Sequence, residues 1–395
     1  MAAEDRISGL PGDILDHILG LLPIRDAART SVLSTVWRDV WLSLSQLIFD
    51  TNFFIHIHDR YIAESTMFVI NKILMRHNKP IRKFVFHFDN FFWAKRDKKT
   101  SWVELDEWLL YLTRNGVEEL DLSFGSSAYA YVLPNFIFSC STLKKLCLHG
   151  VFVEPINVSC IFPNVTSLCL KRIQFDSKNL FYSPTDLPML ESLECGDISG
   201  FNMTAPKLRS LKISNVFNMT SHGVLPFTLD LKPISSLHLD HCSAKDIIKE
   251  FRRLGKQGTM LNVGCLKLCL RVLSDEISAF IKLLQMCPNL YKLDIELSNI
   301  GVAFTTEASL ECREFILAET CQRVHILNIS CAFRGTMPEM ILFKWLVSCF
   351  PMLENVFIYQ RKTFCSNTEF KNKRKLLRFL RDSSKADIVY SEKGC

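Results

Sequence analysis

The chain has 395 residues, 48% hydrophobic and 22% charged, with a formal net charge of +6. That balance excludes a largely disordered polymer, and no apolar run reaches the roughly 18 residues that a membrane-spanning helix needs. Residues 361–395 carry ten Lys/Arg against four Asp/Glu, so the rest of the chain is neutral overall; a nucleic-acid partner, which would call for a basic main domain, is not expected. The opening MAAEDRISGLPGD lacks a basic stretch followed by an apolar one, so no secretory leader is expected. Fifteen cysteines without a CxxC pair then fit reduced thiols in the cytoplasm, the nucleus or both.

Residues 5–45 predict three short helices. Pro11 opens the first, and Ile14, Leu15, Ile18, Leu19 and Leu22 recur at helical spacing until Pro23 stops the run. The second fits Arg25 to Leu33, and Ser34 can cap a third that carries Trp37, Val40, Trp41 and Leu44. Three helices of this size cannot bury that much apolar surface among themselves, so a partner must complete the core. The pieces Leu10-Pro11, Ile14-Leu15, Ile18-Leu19, Leu22-Pro23, Ala27, Ser31-Val32-Leu33-Ser34, Trp37-Arg38 and Trp41 resemble an F-box. Gly12 stands where that family commonly has an acidic residue, and Thr35-Val36 replaces its usual basic pair. The resemblance implies a Skp-type adaptor as partner and, through it, a cullin. The residues that would dock the adaptor are Leu10, Pro11, Ile14, Leu15, Ile18, Leu22, Pro23, Leu33 and Trp37.

A helix is predicted from Tyr61 to His77, capping the first strand of a repetitive region. From about residue 81 the pattern φ-x-x-φ-x-φ (φ apolar) recurs, with its middle apolar residue at Phe84, Leu120, Leu146, Leu168, Leu193, Leu211, Leu237, Leu266 and Leu293. The intervals centre near the roughly 20–29 residues of a leucine-rich repeat. Each copy is a short alternating strand that cannot bury its leucines alone, so the copies must stack into an irregular solenoid with a parallel sheet. Connections at 102–114 and 275–286 read as helices. The strand pattern continues at Leu327 and Val356, with a helix from Met340 to Cys349 between them. Gly335, Glu339-Met340, Pro351-Met352-Leu353-Glu354 and the ending RKLLRFLRDSSKADIVY resemble the FBD region that comes after the repeats in many plant F-box proteins.

The expected fold class is therefore α/β: an F-box at 5–50, a linker and capping helix at 51–80, leucine-rich repeats at 81–319 and an FBD-like end at 320–395. Strand alternation places Lys171, Glu194, Lys212, His238, Asp240, Lys267, Asp294 and Glu296 on the face opposite the leucines, the strip expected to read a target protein. No cofactor or metal is expected. His238 and His241 would point to opposite faces of a strand, and Cys147 and Cys169, on neighbouring strands, read as reduced thiols. The chain lacks a nucleophile elbow, a P-loop and an HExxH motif, so no catalytic residue is expected. The role these features imply is a non-catalytic substrate receptor of a Skp-cullin-F-box ubiquitin ligase. The alternatives are a receptor for a hormone-like small molecule, built on the loops at 87–101 and 215–233, and a repeat scaffold outside any ligase.

Overall fold

The computed structural model describes residues 5–58, 63–88, 102–125, 131–154, 161–175, 185–198, 203–214, 232–240, 260–271, 280, 282–299, 323–331, 337–360 and 386–392. The chain divides into two compact units, residues 1–190 with 198–205, and residues 191–197 with 206–395.

The first unit begins with three helices, α1 (Gly12–Gly20), α2 (Ile24–Thr30) and α3 (Thr35–Leu42). Pro11 and Pro23 stand at the N-cap positions of α1 and α2, where a missing N–H costs nothing. Ser34 caps α3 as its sequence predicts: its Oγ accepts from the Trp37 amide at 3.3 Å. The second helix ends at Thr30, short of the expected Leu33, because residues 31–33 turn back on the Ala28, Arg29 and Thr30 carbonyls. Between them the three helices bury Leu15, Leu19, Ile24, Ala27 and Val40.

Strand β1 (Gln46–Phe49) comes within four residues of α3 and pairs in parallel with β2 (Lys83–Phe88), Leu47 lying opposite Phe84. The sheet therefore starts inside the segment that the sequence assigns to the F-box. The join is fixed by Asp16 on α1. Its carboxylate accepts from the Ser45 amide at 2.7 Å and from the Ser45 hydroxyl at 2.6 Å, charge-assisted bonds of the strong kind.

Two helices lie between these strands, α4 (Thr51–His58) and α5 (Ala63–Arg76). The second is the predicted helix with slightly tighter bounds. The first was not foreseen, because TNFFIHIH is rich in aromatic and β-branched residues with weak helix propensity. It nucleates on Asp50, whose Oδ1 accepts from the Phe53 amide at 2.9 Å. Helix α4 packs on β1 and β2, so it covers the sheet's first strands, and α5 packs on α4 and on α6 (Val103–Arg114).

Strands β3 (Glu119–Phe124), β5 (Lys145–His149) and β7 (Ser167–Phe175) extend the parallel sheet in the order β1-β2-β3-β5-β7. The register aligns Phe84, Leu120, Leu146 and Leu168, the residues that mark the sequence repeat. Two-residue β4 (Tyr131–Val132) and three-residue β6 (Val151–Val153) make a small companion ladder against the end of β7. A further pair joins β8 (Thr185–Asp186) to β10 (Met203–Thr204).

The core of this unit is aromatic. Phe54 on α4, Phe86 and Phe88 on β2, Trp108 on α6 and Phe124 on β3 are all nearly inaccessible. Phe86 meets Phe54, Trp108 and Phe124 at ring-centroid distances of 5.3, 6.2 and 6.0 Å. The indole N–H of Trp108 donates to Asn71 at 2.6 Å, so its one polar atom is satisfied. At the β5–β6 turn Gly150 adopts φ +69°, and a Cβ there would collide with the Phe124 carbonyl. Only glycine suits both conditions.

The second unit is also a parallel ladder: β9 (Ser192–Ile198), β11 (Ser210–Ser214), β12 (Ser236–Asp240), β13 (Cys265–Arg271), β14 (Lys292–Asn299), β15 (Ile326–Cys331), β16 (Asn355–Gln360) and β17 (Asp387–Glu392). Leu193, Leu211, Leu237, Leu266, Leu293, Leu327 and Val356 stand in register. Ile388 adds one more rung, opposite Val356. Helix α7 (Met337–Ser348) buries Phe343, Trp345, Leu346 and Val347, residues on several sides, as a helix enclosed by protein does. The expected helix at 275–286 is seen at 282–285, and the rest of that prediction, apart from Phe280, falls largely outside the described residues. So do most of the basic C-terminal segment, His241 and Cys242, and nearly all of the loops at 87–101 and 215–233. Among the described residues, no helix is long and apolar enough to cross a membrane.

Candidate partner-binding surfaces

The first candidate surface lies on α1–α3. A helical module with a completed core turns its large apolar side chains inward. Here Ile7, Leu10, Ile14, Leu21, Leu22, Val32, Leu33 and Val36 all stay in solvent, within thirty residues of chain. Leu21, Val32 and Leu33 are 73%, 84% and 70% exposed. Of the residues expected to dock an adaptor, Leu10, Pro11, Ile14, Leu22, Pro23 and Leu33 are on this surface, and Ile18 and Trp37 are half-buried at its border. Leu15 is the correction: at 2% exposure it belongs to the module's own core and cannot touch a partner. Four exposed residues were absent from the sequence-derived set, Ile7, Leu21, Val32 and Val36. The doublets Leu21-Leu22 and Val32-Leu33 each have one member off the helical stripe, which is a legible sign of a side chain with no intramolecular neighbour.

The second candidate is the polar face of the first unit's sheet. Register places Asp121, Cys147 and Cys169 in one row and His87, Ser123, His149 and Lys171 in the row beyond. Val85, on the same face as Asp121, is buried rather than solvated. His87 Nε2 lies 3.0 Å from the Asp121 carboxylate in an imperfectly aligned contact, which holds the imidazolium above its ordinary pKa against the opposing effect of burial. Ser123 Oγ lies 3.0 Å from His149 Nδ1. Burial, with Arg172 and Lys171 nearby, pushes His149 the other way. The Cys169 thiol and burial both raise Cys147, so it stays a neutral thiol and a poor nucleophile. Among the described residues, no three His, Cys, Asp or Glu side chains converge as a metal site.

The third candidate is the matching face of the second unit. Seven of the eight residues expected to read a target are here, while Lys171 belongs to the first unit, opposite His149. Glu194, Lys212, His238, Lys267 and Asp294 form one row across five strands. Lys212 pairs with Glu194 at 2.7 Å, and Asn328 donates to Asp294 at 2.5 Å. Asp240 stands opposite Ser214, and Glu296 opposite Cys269, one row further on. The row mixes both signs and its charges are partly matched to one another, so it is not a uniformly basic channel for phosphates.

One histidine on each unit's polar face is pH-sensitive, and the two act in opposite senses. Burial, followed by Lys267 and Lys212, lowers His238 to about 4. Between pH 6.5 and 4 the unfolded chain then binds more protons at that site, so its contribution is fully present above pH 6.5 and is lost as pH falls toward 4. For His87 the folded pKa is raised, so its stabilisation is complete below 6.5 and disappears as pH rises through the higher folded value. Ring-proton NMR is expected to show His87 titrating above 6.5 and His238 well below it, and Asp121→Asn is expected to bring His87 down. A His87 that titrates at or below 6.5 in the wild type would contradict the Asp121 contact.

The first surface and the repeating sheets agree with sequence comparison. The F-box domain family matches residues 7–49. The repeat family described as "FBD-associated F-box protein At5g56370, LRR repeats" matches residues 105–226. The chain is similar to plant F-box/leucine-rich-repeat proteins. It is 33% identical over 218 residues to the F-box/FBD/LRR-repeat protein At1g13570 of Arabidopsis thaliana, covering 54% of this chain and 50% of the relative. It is 29% identical over 222 residues to the F-box/LRR-repeat protein At4g14103 of the same plant, with 54% and 56% covered. A third Arabidopsis thaliana relative, the F-box/FBD/LRR-repeat protein At5g56420, is 28% identical over 240 residues, with 58% and 54% covered. The chain thus spans about half the length of the curated relatives it matches.

Proposed function

We propose that this chain is the substrate receptor of a Skp-cullin-F-box ubiquitin ligase. The observation that carries the reading is the unpartnered apolar surface of α1–α3. Eight large apolar residues exposed within thirty residues of chain are more than the singly scattered leucines of an ordinary monomer, and they lie on the segment that matches the F-box family. A Skp-type adaptor would cover Leu10, Ile14, Leu22, Val32 and Leu33, and the cullin would be reached only through that adaptor. The polar faces of the two sheets, with their mixed and partly matched charges, suit a protein target better than a polyanion. The chain contributes no chemistry of its own in this reading. It raises the effective concentration of the target beside a ubiquitin-conjugating enzyme. Residence in the cytoplasm, the nucleus or both is part of the same proposal.

Co-expression with a Skp-type adaptor and then size-exclusion chromatography tests it. A one-to-one complex is the expected result. A soluble chain that elutes apart from the adaptor at micromolar concentrations would overturn the reading and favour a repeat scaffold outside any ligase.

A further inference from the structure

Within the first unit, α2, α4 and α5 converge on a cavity of about 420 Å³, a size typical of small-molecule sites. Its walls are apolar: Ile24 from α2, Phe53 and Ile57 from α4, Val69 and Ile73 from α5. Ile24, Phe53 and Ile57 are already shielded from water, so the space is lined rather than open ground. Ala28 and Val69 are short side chains, and no described residue fills the volume they leave.

Five polar residues also reach the lining: the carboxylates of Asp26 and Asp50, the Arg25 guanidinium, and Asn52 and His56. Asp50 is engaged on both oxygens, by the Phe53 amide at 2.9 Å and by Asn52 Nδ2 at 3.4 Å. Asp26 pairs with Arg29 at 3.4 Å. Arg25 differs from both: its Nη1 lies 3.3 Å from Nδ1 of His56 rather than on a carboxylate. A guanidinium can only donate, so in this contact His56 Nδ1 is the acceptor. The guanidinium keeps its full positive charge on the rim of an apolar cavity. A planar fork of N–H donors is the group that pairs with a carboxylate through two parallel bonds.

We propose that this cavity binds a small carboxylic acid with an apolar body of one ring or a short chain. The body would lie among Ile24, Phe53, Ile57, Val69 and Ile73, and the carboxylate would take the remaining N–H groups of Arg25. The site lies away from the sheet faces and shares only Pro23 with the exposed surface of α1–α3, so it does not depend on the ligase reading. It also differs in place from a receptor pocket built on the long loops.

Saturation-transfer NMR on the full chain tests the proposal with four probes: butanoate, octanoate, 3-phenylpropanoate and 2-naphthoate, each compared with its primary amide. At least one acid is expected to bind saturably, and its amide at least tenfold more weakly. Val69→Phe, which fills the cavity, is expected to weaken the acid at least tenfold. Arg25→Gln is expected to erase the difference between acid and amide, and circular dichroism confirms that each variant is folded. Saturable binding by none of the four acids, amides that bind as well as acids, or binding unchanged by Val69→Phe would each overturn the proposal. Should Val69→Phe fail to fold, the Arg25→Gln variant decides, and an acid-to-amide ratio equal to that of the wild type would overturn it.

Discussion

Replacing Val32 and Leu33 together with aspartate is expected to abolish capture of a Skp-type adaptor while leaving the fold intact. Both side chains are mostly in solvent, at 84% and 70% exposure, so the free protein loses almost no buried area. Surface changes of this kind usually alter stability by about 0.5 kcal/mol or less. In a complex the same positions would become the centre of a dry interface. Truncating such a position typically costs about 2 kcal/mol or more, and an introduced carboxylate adds a desolvation penalty. Two of them should weaken binding beyond roughly a thousandfold. Leu15→Ala supplies the contrast. That side chain is enclosed, so its loss should cost about 2–5 kcal/mol of stability, and any effect on the adaptor would come through unfolding of the module. Pull-down and thermal melts on both variants separate the two cases. Undiminished capture by the aspartate pair would show that the exposed face is not the docking surface.

Phe86→Ala is expected to be the most destabilising single change in the first unit, by about 3–5 kcal/mol. The ring is fully buried and lies in contact with aromatic neighbours from α4, α6 and β3. Removing it leaves a void that rigid aromatic rings on three different elements cannot close together. Phe68→Ala on α5 is the control. That ring is exposed and makes a cation–π contact with Lys72 at 4.6 Å, worth about 0.5–1 kcal/mol. Urea denaturation monitored on the first unit should place the two variants several kcal/mol apart. Equal effects would refute an aromatic core centred on Phe86.

Much of this was legible because the repeat writes its own register. Each φ-x-x-φ-x-φ copy fixes which residues face inward, and stacking leaves only one way to align the leucines, from Phe84 to Leu168 in the first unit and from Leu193 to Val356 in the second. The elements that escaped are those whose identity depends on neighbours. QLIF at 46–49 is too short to show alternation, and it becomes a strand only because β2 offers an unpaired edge. The segment at 51–58 reads as β-prone and is helical because Asp50 caps it and β1 and β2 lie beneath it. Ile388 lies near a basic segment whose charges mask its strand pattern. For the candidate surfaces, the pattern named the segment that carries the exposed apolar side chains but could not sort Leu15 from Leu33. Both are apolar in a helical module, and only the packing of α1 against α2 and α3 decides which one is enclosed. Sequence also gave no hint of the Arg25–His56 pair, since 31 residues separate the two and neither belongs to a motif.

The placement of β1 bears on how such proteins can be cut and recombined. A fragment ending at residue 50 would carry away the strand that pairs with Lys83–Phe86. The repeats left behind would show an unprotected sheet edge, while the fragment itself would hold Leu47 and Phe49 with nothing to rest on. Both halves would then be prone to pair with copies of themselves. The exchangeable cassette is therefore not the helical module alone. Swapping it between relatives requires either a cut before Ser45, which forfeits the Asp16 clasp, or a transplant that carries β1 and α4 along with the strand they rest on.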